Sequence, residues 1–364
     1  MNKKVSLYSD TRVLCTLLVV IGHCTSLTLV NKDGISNIIL LNSVQVYTEY
    51  LRTVIYSFHM PLFVSLSGAV FSYTYNEKQP FSLYVKKKTR RLLVPFLTTA
   101  LLILVPQRYI TGYYQGQSLG AVIGKDILLA YDVNYLWYLL MLFEVSVLFF
   151  FVAKRFLDNS KRELLIFFLL FGTSFASFAL PQLPFQINKT AEFSFWFYIG
   201  MVIDRNRNIL KNSSREKNIY LLFLAWFLLF VLHGGLENFI SATKNPDIVF
   251  AVKLIKMAVR YMMETAAVLF VYLTLANHPM KNTGPYRIIE KYSMQVYLFH
   301  APIIHIYKYC LGSFLANNTI SNALYILLLV VGICIAVSLA VLLSYIGSKV
   351  KIQYTRYVFK GEGI

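Results

Sequence analysis

The sequence predicts an all-α, polytopic membrane protein of about ten transmembrane helices. Its 364 residues are 57% hydrophobic and only 14% charged, and the mean hydropathy is +0.57, which is not the composition of a soluble domain. Apolar stretches long enough for a bilayer, roughly 20 residues each, recur along the whole chain. Because no fixed-period repeat and no long linker interrupts them, we expect a single membrane domain over residues 1–364.

The ten predicted spans end at charged residues or at clusters of Gly, Pro and Asn. They are residues 11–30, 50–74, 91–110, 135–153, 164–180, 191–204, 219–233, 248–276, 289–310 and 321–347. An even number of spans places both termini on one side. If that side is cytoplasmic, the inner segments carry roughly 24 of the 35 Lys and Arg residues, as the positive-inside rule requires. The net charge of +18 therefore reflects topology, and we expect membrane lipids, not nucleic acid, around the chain.

Two predicted outer segments are long, residues 31–49 and 111–134. The second is rich in Gly and Tyr. A mobile surface loop is the favoured interpretation, and a cover over an outward-facing site is the alternative.

The four cysteines lie inside apolar stretches and show no metal-ligand spacing. We predict that all four are buried thiols and that the protein holds no metal. They are Cys15, Cys24, Cys310 and Cys334.

Arg12 and His23 are ionisable residues within the first predicted span. Eleven positions apart on a helix, they return to within about 20° of the same face and lie roughly 16 Å apart along the axis. We expect Arg12 near the cytoplasmic interface and His23 near the middle of the bilayer. Ionisable side chains are costly in a bilayer, so each indicates either function or an internal partner.

His59 and His300 are predicted at the same depth as His23. Three histidines at one depth favour a functional site over separate structural roles. Desolvation keeps an imidazole neutral, and the neutral form is the one that acts as a general base. A zinc site is a less favoured alternative, because no HxxxH or HxxE spacing groups ligands on one helix.

Prolines and small residues accompany these histidines. Pro61 frees backbone carbonyls within the second span, and Ser67 with Gly68 permits close helix packing. Residues 292–302 repeat the pattern of a histidine followed by a proline. A nucleophilic role for Ser67 or Ser293 is a minor alternative.

Arg90 and Arg91 end a basic cluster, residues 86–91, at the predicted cytoplasmic end of the third span. One interpretation is an anchor on anionic lipid. The other is a docking site for a polyanionic cofactor, with the two guanidinium groups binding phosphate.

A second charged stripe consists of Lys253, Lys256, Arg260 and Glu264, in the eighth predicted span. Arg260 and Glu264 are predicted to form an ion pair. The two lysines either extend to headgroups or meet a negatively charged acceptor. Glu144, in the fourth span, has either an internal partner or a role in proton relay.

Together these features resemble the acyltransferase-three family of bacterial integral-membrane acyltransferases. The resemblance rests first on the ten residues between Arg12 and His23 and on the string Phe58-His59-Met60-Pro61-Leu62-Phe63. Weaker agreement comes from Arg90-Arg91-Leu92-Leu93-Val94-Pro95, Leu136-Trp137-Tyr138-Leu139 and Tyr297-Leu298-Phe299-His300-Ala301-Pro302.

The resemblance implies transfer of an acyl group, usually acetyl, from cytoplasmic acyl-coenzyme A to a hydroxyl of an extracytoplasmic glycan such as capsule, exopolysaccharide or cell-wall polysaccharide. It implies that Arg12 and His23 are the essential catalytic pair, with His23 as a general base or acyl relay and Arg12 in contact with the donor or organising its channel. It implies that Arg90 and Arg91 bind the coenzyme A phosphates. The residues that it implies for substrate binding or site support are His59, His300, Trp137, Ser67 and Tyr297. Acetyl-coenzyme A, or another acyl-coenzyme A, is the expected donor, and no metal is expected.

Some members of the family carry an added esterase-like domain. Because this sequence ends at Ile364, we expect the membrane domain to act without one, in the bacterial plasma membrane, with glycan-assembly proteins as possible partners. One alternative is an exporter of polysaccharide or lipid-linked sugar whose histidines line a conduit. Another is the same transferase with a succinyl donor.

Overall fold

The computed structural model describes residues 3–27, 29–30, 36–38, 44–156, 160–208, 216–315 and 320–349. This part of the chain is helical apart from its turns and one antiparallel pairing of two short strands, β1 (Leu29–Val30) and β2 (Ser36–Ile38). The C-terminal tail and much of the predicted outer segment 31–49 lie outside the described residues. The chain is therefore essentially all-α, as predicted.

The helices of the described residues fall on the apolar stretches. They are α1 (Lys3–Cys24), α2 (Gln45–Tyr56), α3 (His59–Thr74), α4 (Phe81–Ile110), α5 (Leu119–Ala121, continued by wide turns over Val122–Leu128), α6 (Trp137–Phe156), α7 (Ser160–Ala176), α8 (Ile187–Arg205), α9 (Glu216–Ala242), α10 (Pro246–Asn277), α11 (Gly284–Leu315) and α12 (Asn322–Lys349).

Each of the ten predicted spans lies on a helix or a broken helix of this structure. Within the described residues, 7 helical stretches are long and apolar enough to cross a membrane. The helices α8, α10 and α11 are not among them. The chain is thus a multi-pass membrane protein by length and composition, while the count of ten crossings and the side of the termini stay predictions.

Several helix ends differ from the predicted span boundaries, including the end of α9 at Ala242, where the seventh span was predicted to end at residue 233. The first span was predicted to end at residue 30, but α1 ends at Cys24, where Thr25 donates to the last carbonyls. The third was predicted to begin at residue 91, but α4 begins at Phe81. The predicted start of the third span was placed at the end of the basic cluster because charged residues were taken to end a span. Lysine is a good helix former, so the cluster lies within the helix.

Pro61 interrupts the second span as predicted, and α4 also widens near two prolines for which no such prediction was made. The second span is divided between α2 and α3, because Pro61 has no N–H to donate to the carbonyl of Ser57. In α4 the helix widens at Thr89–Leu93 and at Ala100–Leu104, next to Pro95 and shortly before Pro106.

The described chain divides into two compact units, and each is discontinuous in sequence. Unit A combines Met1–Cys15, Thr53–Tyr75 and Trp196–Tyr286. Unit B combines Thr16–Arg52, Asn76–Phe195 and Arg287–Ile364.

In unit A, the backbones of α3 and of the C-terminal half of α8 are in direct contact. A Cβ atom added to Gly68 would lie 1.9 Å from the carbonyl oxygen of Phe197, and one added to Gly200 would lie 1.8 Å from that of Ser65. The predicted packing role of Gly68 is confirmed. Gly200, which sequence reasoning passed over, is the matching residue on the facing helix.

Charged groups in unit A have local partners. Arg260 Nε and Glu264 Oε1 form the predicted ion pair at 2.8 Å. Lys256 pairs with Glu237 of α9, a partner that the sequence stripe did not reveal. Asp10 accepts hydrogen bonds from the Tyr286 hydroxyl at 2.6 Å and from the Met280 N–H at 3.2 Å.

The prediction of four buried thiols is wrong for two of them. Cys15 and Cys24 are buried, whereas Cys310 and Cys334 are exposed. In a membrane protein an apolar stretch faces lipid as readily as protein, so an apolar neighbourhood in sequence does not establish burial.

We expect Gly200→Ala to destabilise the protein by about 3 kcal/mol or more, because the added methyl group meets backbone that cannot move aside. Thermal unfolding of detergent-purified protein measures the effect. The control is Gly172→Ala in α7, where nothing lies within 4 Å of the added Cβ; it should be neutral or stabilising by about 0.5–1 kcal/mol. Equal stability of the two variants would contradict the close backbone contact.

Candidate active site

In unit B, α11 is anchored to the turn before α6 at its own proline. Pro302 lies inside α11 and has no N–H for the carbonyl of Leu298, four residues earlier. The Tyr135 hydroxyl donates to that carbonyl at 2.6 Å. In return, the Tyr297 hydroxyl donates to the backbone carbonyl of Tyr135. The proline thus creates a free acceptor that a buried tyrosine satisfies.

His300 lies at the centre of this arrangement and is fully buried, with 0% of its surface exposed. Its Nδ1 contacts the carbonyl oxygens of Tyr297 at 2.7 Å and Val296 at 3.1 Å. A carbonyl only accepts, so the hydrogen-bond pattern assigns the proton to Nδ1 and a lone pair to Nε2. That Nε2 atom is buried and has no hydrogen-bond partner among the described residues.

His23 contacts His300 directly. The two ring centroids are 5.0 Å apart in an edge-to-face arrangement, and His23 is half-buried in the last turn of α1. The rings of Tyr135 and Tyr297 lie 5.4 Å and 5.9 Å from that of His300. The structure therefore brings together His23, His300 and Tyr297, three of the residues that the sequence singled out.

Sequence reasoning missed Lys308. Its Nζ donates to the backbone carbonyl of His23 at 3.0 Å. A lysine inside the predicted span 289–310 was a detectable signal, and its position eleven residues after Tyr297 places it on nearly the same helix face.

His305, one of two histidines of α11 in the same predicted span, was also missed. Its Nε2 lies 3.1 Å from the hydroxyl of Thr111, which itself donates to the carbonyl of Gln107. The hydroxyl proton is committed, so His305 Nε2 is the donor. This contact connects α11 with the residue that follows α4.

A buried arginine organises the segment after α4. Arg108 donates to the Asp132 carboxylate and carbonyl, both at 3.0 Å, and to the Tyr114 hydroxyl at 2.6 Å. The Tyr113 hydroxyl donates to the other Asp132 oxygen at 3.0 Å, and the guanidinium lies 4.3 Å from the Tyr113 ring centroid. One cation therefore joins both ends of the segment through charge-assisted hydrogen bonds.

Burial raises the pKa of both Tyr113 and Tyr114 to about 12, although the nearby Arg108 lowers each pKa. Both hydroxyls therefore stay protonated at neutral pH. Tyr113 donates to Asp132 and Tyr114 accepts from Arg108, as the hydrogen bonds require.

The favoured interpretation of residues 111–134 as a mobile loop is wrong. Besides the Arg108 contacts, the Phe185 N–H donates to the Leu129 carbonyl at 2.7 Å. Within the segment the backbone holds left-handed φ angles at Ala130 and Asn134. Such angles cost about 1 kcal/mol or more each and persist only where surrounding contacts impose them. The glycine and tyrosine content suggested mobility, but the hydrogen bonds of the buried Arg108 hold the segment in place.

Trp137 and Glu144 also lie in unit B, on α6. The Trp137 ring is 5.2 Å from that of Phe193, and Lys189 Nζ lies 5.6 Å from its centroid. Glu144 accepts a hydrogen bond from the Thr190 hydroxyl at 2.5 Å. Glu144 thus has the internal partner that was one of its two predicted roles.

The remaining predicted residues lie apart from the histidine pair or in unit A. Arg90 is exposed and Arg91 half-buried on α4. In unit A, Arg12 is half-buried on α1, and Ser67 donates back to the Phe63 carbonyl at 3.1 Å.

His59, in unit A, is 8% exposed and bridges the break between α2 and α3. Its Nδ1 donates to the Ile55 carbonyl at 3.0 Å. Within the described residues no three His, Cys, Asp or Glu side chains converge as metal ligands would.

Comparison with known proteins identifies the family of this chain. The acyltransferase domain family, acyltransferase-three, matches residues 9–345. The chain belongs to this family. As a family member it is an acyltransferase of the membrane type, and the predicted resemblance is confirmed.

Two curated relatives of this acyltransferase carry the name glucans biosynthesis protein C. They come from Escherichia coli (strain SMS-3-5 / SECEC) and Shigella dysenteriae serotype 1 (strain Sd197), and each is 29% identical over 138 residues. That stretch covers 34% of this chain and 36% of each relative, so the match spans about a third of their length. No solved structure matches the chain.

We expect Arg108→Met to loosen residues 111–133 of this acyltransferase. Losing the charge-assisted hydrogen bonds should lower the local opening free energy by about 2 kcal/mol, which is roughly 30-fold faster amide exchange. Hydrogen–deuterium exchange with peptide mass spectrometry measures it. The control is Lys125→Met, an exposed charge in the same segment. Unchanged exchange in Arg108→Met would contradict the organising role of Arg108.

Proposed function

We propose that this acyltransferase transfers an acyl group, acetyl in the first instance, from cytoplasmic acyl-coenzyme A to a hydroxyl of an extracytoplasmic glycan. The observation that carries the proposal is the contact between His23 and His300. Two imidazoles meet in an apolar interior, and one of them presents a buried, unpaired Nε2 lone pair. Buried hydrogen-bond acceptors in native proteins nearly always have a donor. We propose that a substrate hydroxyl is the donor to this Nε2 atom.

The reaction needs one proton acceptor near the attacking oxygen. The sugar oxygen forms a bond to the thioester carbonyl carbon, the carbon–sulfur bond breaks, and the hydroxyl proton passes to His23 as general base. The leaving thiolate of coenzyme A then receives that proton. His300 Nε2 accepts a hydrogen bond from the substrate and orients it, because its own proton is committed at Nδ1.

Aromatic rings define the surroundings of this pair. Tyr135 and Tyr297 use their hydroxyls on backbone carbonyls. The rings of these two tyrosines therefore exclude water from His300, and their hydroxyl protons do not compete with the substrate for its Nε2 atom. A dry site favours the neutral imidazole that base catalysis requires.

The donor roles follow the family resemblance. We assign Arg12 to the acyl-coenzyme A donor, and Arg90 and Arg91 to its phosphates. The exposure of Arg90 and the half-burial of Arg91 on α4 suit contact with a soluble, polyanionic molecule.

A glycan acceptor is supported by the curated relatives, whose name refers to glucan biosynthesis. The name concerns those proteins, and the shared stretch is 138 residues. We propose a surface glycan as the acceptor class for this chain on that basis.

The test is the acyl content of surface glycans from bacterial cells carrying the wild-type protein, His23→Ala or His300→Leu. We expect acyl groups with the wild type, a loss of about 100-fold or more in His23→Ala, and a smaller loss in His300→Leu, which keeps the base but removes the orienting acceptor. Mass spectrometry and proton NMR identify both the acyl group and the sugar.

The matched control is His278→Ala, an exposed histidine that contacts Glu216. It should leave acylation unchanged, with membrane levels of all variants equal by blotting. Unchanged acylation in His23→Ala, or in a deletion strain, would overturn the proposal. If glycan export changed while acylation did not, the exporter alternative would replace it.

A further inference from the structure

Three hydrogen bonds close the C-terminal end of α1, where His23 lies. Thr25 donates its N–H to the Ile21 carbonyl at 3.0 Å and its hydroxyl to the Gly22 carbonyl at 2.8 Å. Lys308 donates to the next carbonyl, that of His23, at 3.0 Å. The last carbonyls of a helix have no partner inside it. Two of these three are satisfied locally, and Lys308 of α11 satisfies the third.

The position of Lys308 is costly for a lysine. Its half-buried side chain lies beside Cys24, Ile304 and Leu328 in an apolar part of unit B. An ammonium group in such a place requires compensation. The carbonyl of His23, the negative end of the α1 dipole and the carboxylate of Glu49 in α2 provide it.

Two contacts from the same helix therefore hold His23. The His300 ring packs against its imidazole, and Lys308 holds its backbone carbonyl. The imidazole and the carbonyl both belong to His23, so holding the carbonyl also restricts where the imidazole lies. Helix ends fray easily, so loss of one terminal hydrogen bond permits the last turn to shift.

We propose that Lys308 is a positioning residue that fixes the end of α1 and thereby the location of the His23 imidazole against His300. The inference rests on the proposed acyl transfer and deepens it. Lys308 acts through His23 and does not touch the substrate. A displacement of about 1 Å at a reacting group can cost about 100-fold in rate.

The first experiment measures kcat and KM in native membrane vesicles with radiolabelled acetyl-coenzyme A and the membranes' own glycan. We expect Lys308→Met to lower kcat by about 10- to 100-fold, with KM for acetyl-coenzyme A unchanged. Lys308→Arg keeps a charged donor and should restore most of kcat. The matched control is Lys291→Met, an exposed lysine on the same helix, which should behave as wild type.

A second readout needs no catalysis. It is the rate at which diethyl pyrocarbonate modifies His23, followed by peptide mass spectrometry. If Lys308 holds the end of α1, the rate rises in Lys308→Met and stays near the wild-type rate in Lys308→Arg.

The outcomes separate the two proposals. Equal kcat for Lys308→Met and Lys291→Met, or a change confined to KM, would overturn the positioning role, and so would equal modification rates. If wild-type vesicles transfer no label while the modification rates differ as expected, the acyl-transfer proposal fails and the role of Lys308 at the end of α1 stands.

Discussion

The candidate site depends on the backbone of α11 at Pro302. A proline inside a helix leaves one carbonyl without its donor, and in a low-dielectric interior that carbonyl must find another. Tyr135 supplies the donor, so the turn before α6 is fixed against α11. His300, two positions before the proline, then lies beneath two tyrosine rings with its Nδ1 proton held by backbone carbonyls. Pro302 thus fixes the turn that carries Tyr135, and the carbonyls of Val296 and Tyr297 place the His300 proton at Nδ1 and its lone pair at Nε2.

The chemistry follows from what surrounds that lone pair. Water-exposed imidazoles near neutral pH are partly protonated, whereas burial without an acid partner favours the neutral form. The hydroxyls of Tyr135 and Tyr297, next to His300, donate to backbone carbonyls, so neither tyrosine donates its proton to the imidazole. Arg108, near the end of α4, holds the segment that leads to Tyr135, and this segment has left-handed φ angles at Ala130 and Asn134. Surroundings of this kind exclude water, which an acyl transfer site requires.

The sequence predicted the fold class, the placement of the helices and the choice of His23 and His300 as candidate site residues, because hydrophobic periodicity and helix rise are local properties. It did not predict Lys308 or His305 as neighbours of the site, since side-chain contacts between helices depend on rotation and crossing angle. It misjudged residues 111–134, where one arginine orders a glycine-rich segment. Cys310 and Cys334 were assigned to the interior because hydropathy does not distinguish lipid from protein. The contact of Gly200 with Ser65 required the facing helix to be known.

The most direct measurement is the protonation state of His300 in the intact protein, by NMR of ¹⁵N-histidine-labelled protein in lipid nanodiscs, with His300→Gln used to assign its signals. We expect a neutral imidazole at pH 7 with the proton on Nδ1 and an unprotonated Nε2 whose signal shifts when a glycan acceptor binds. A doubly protonated ring, or a proton on Nε2, would contradict it, because His300 would then have no lone pair to offer a substrate hydroxyl.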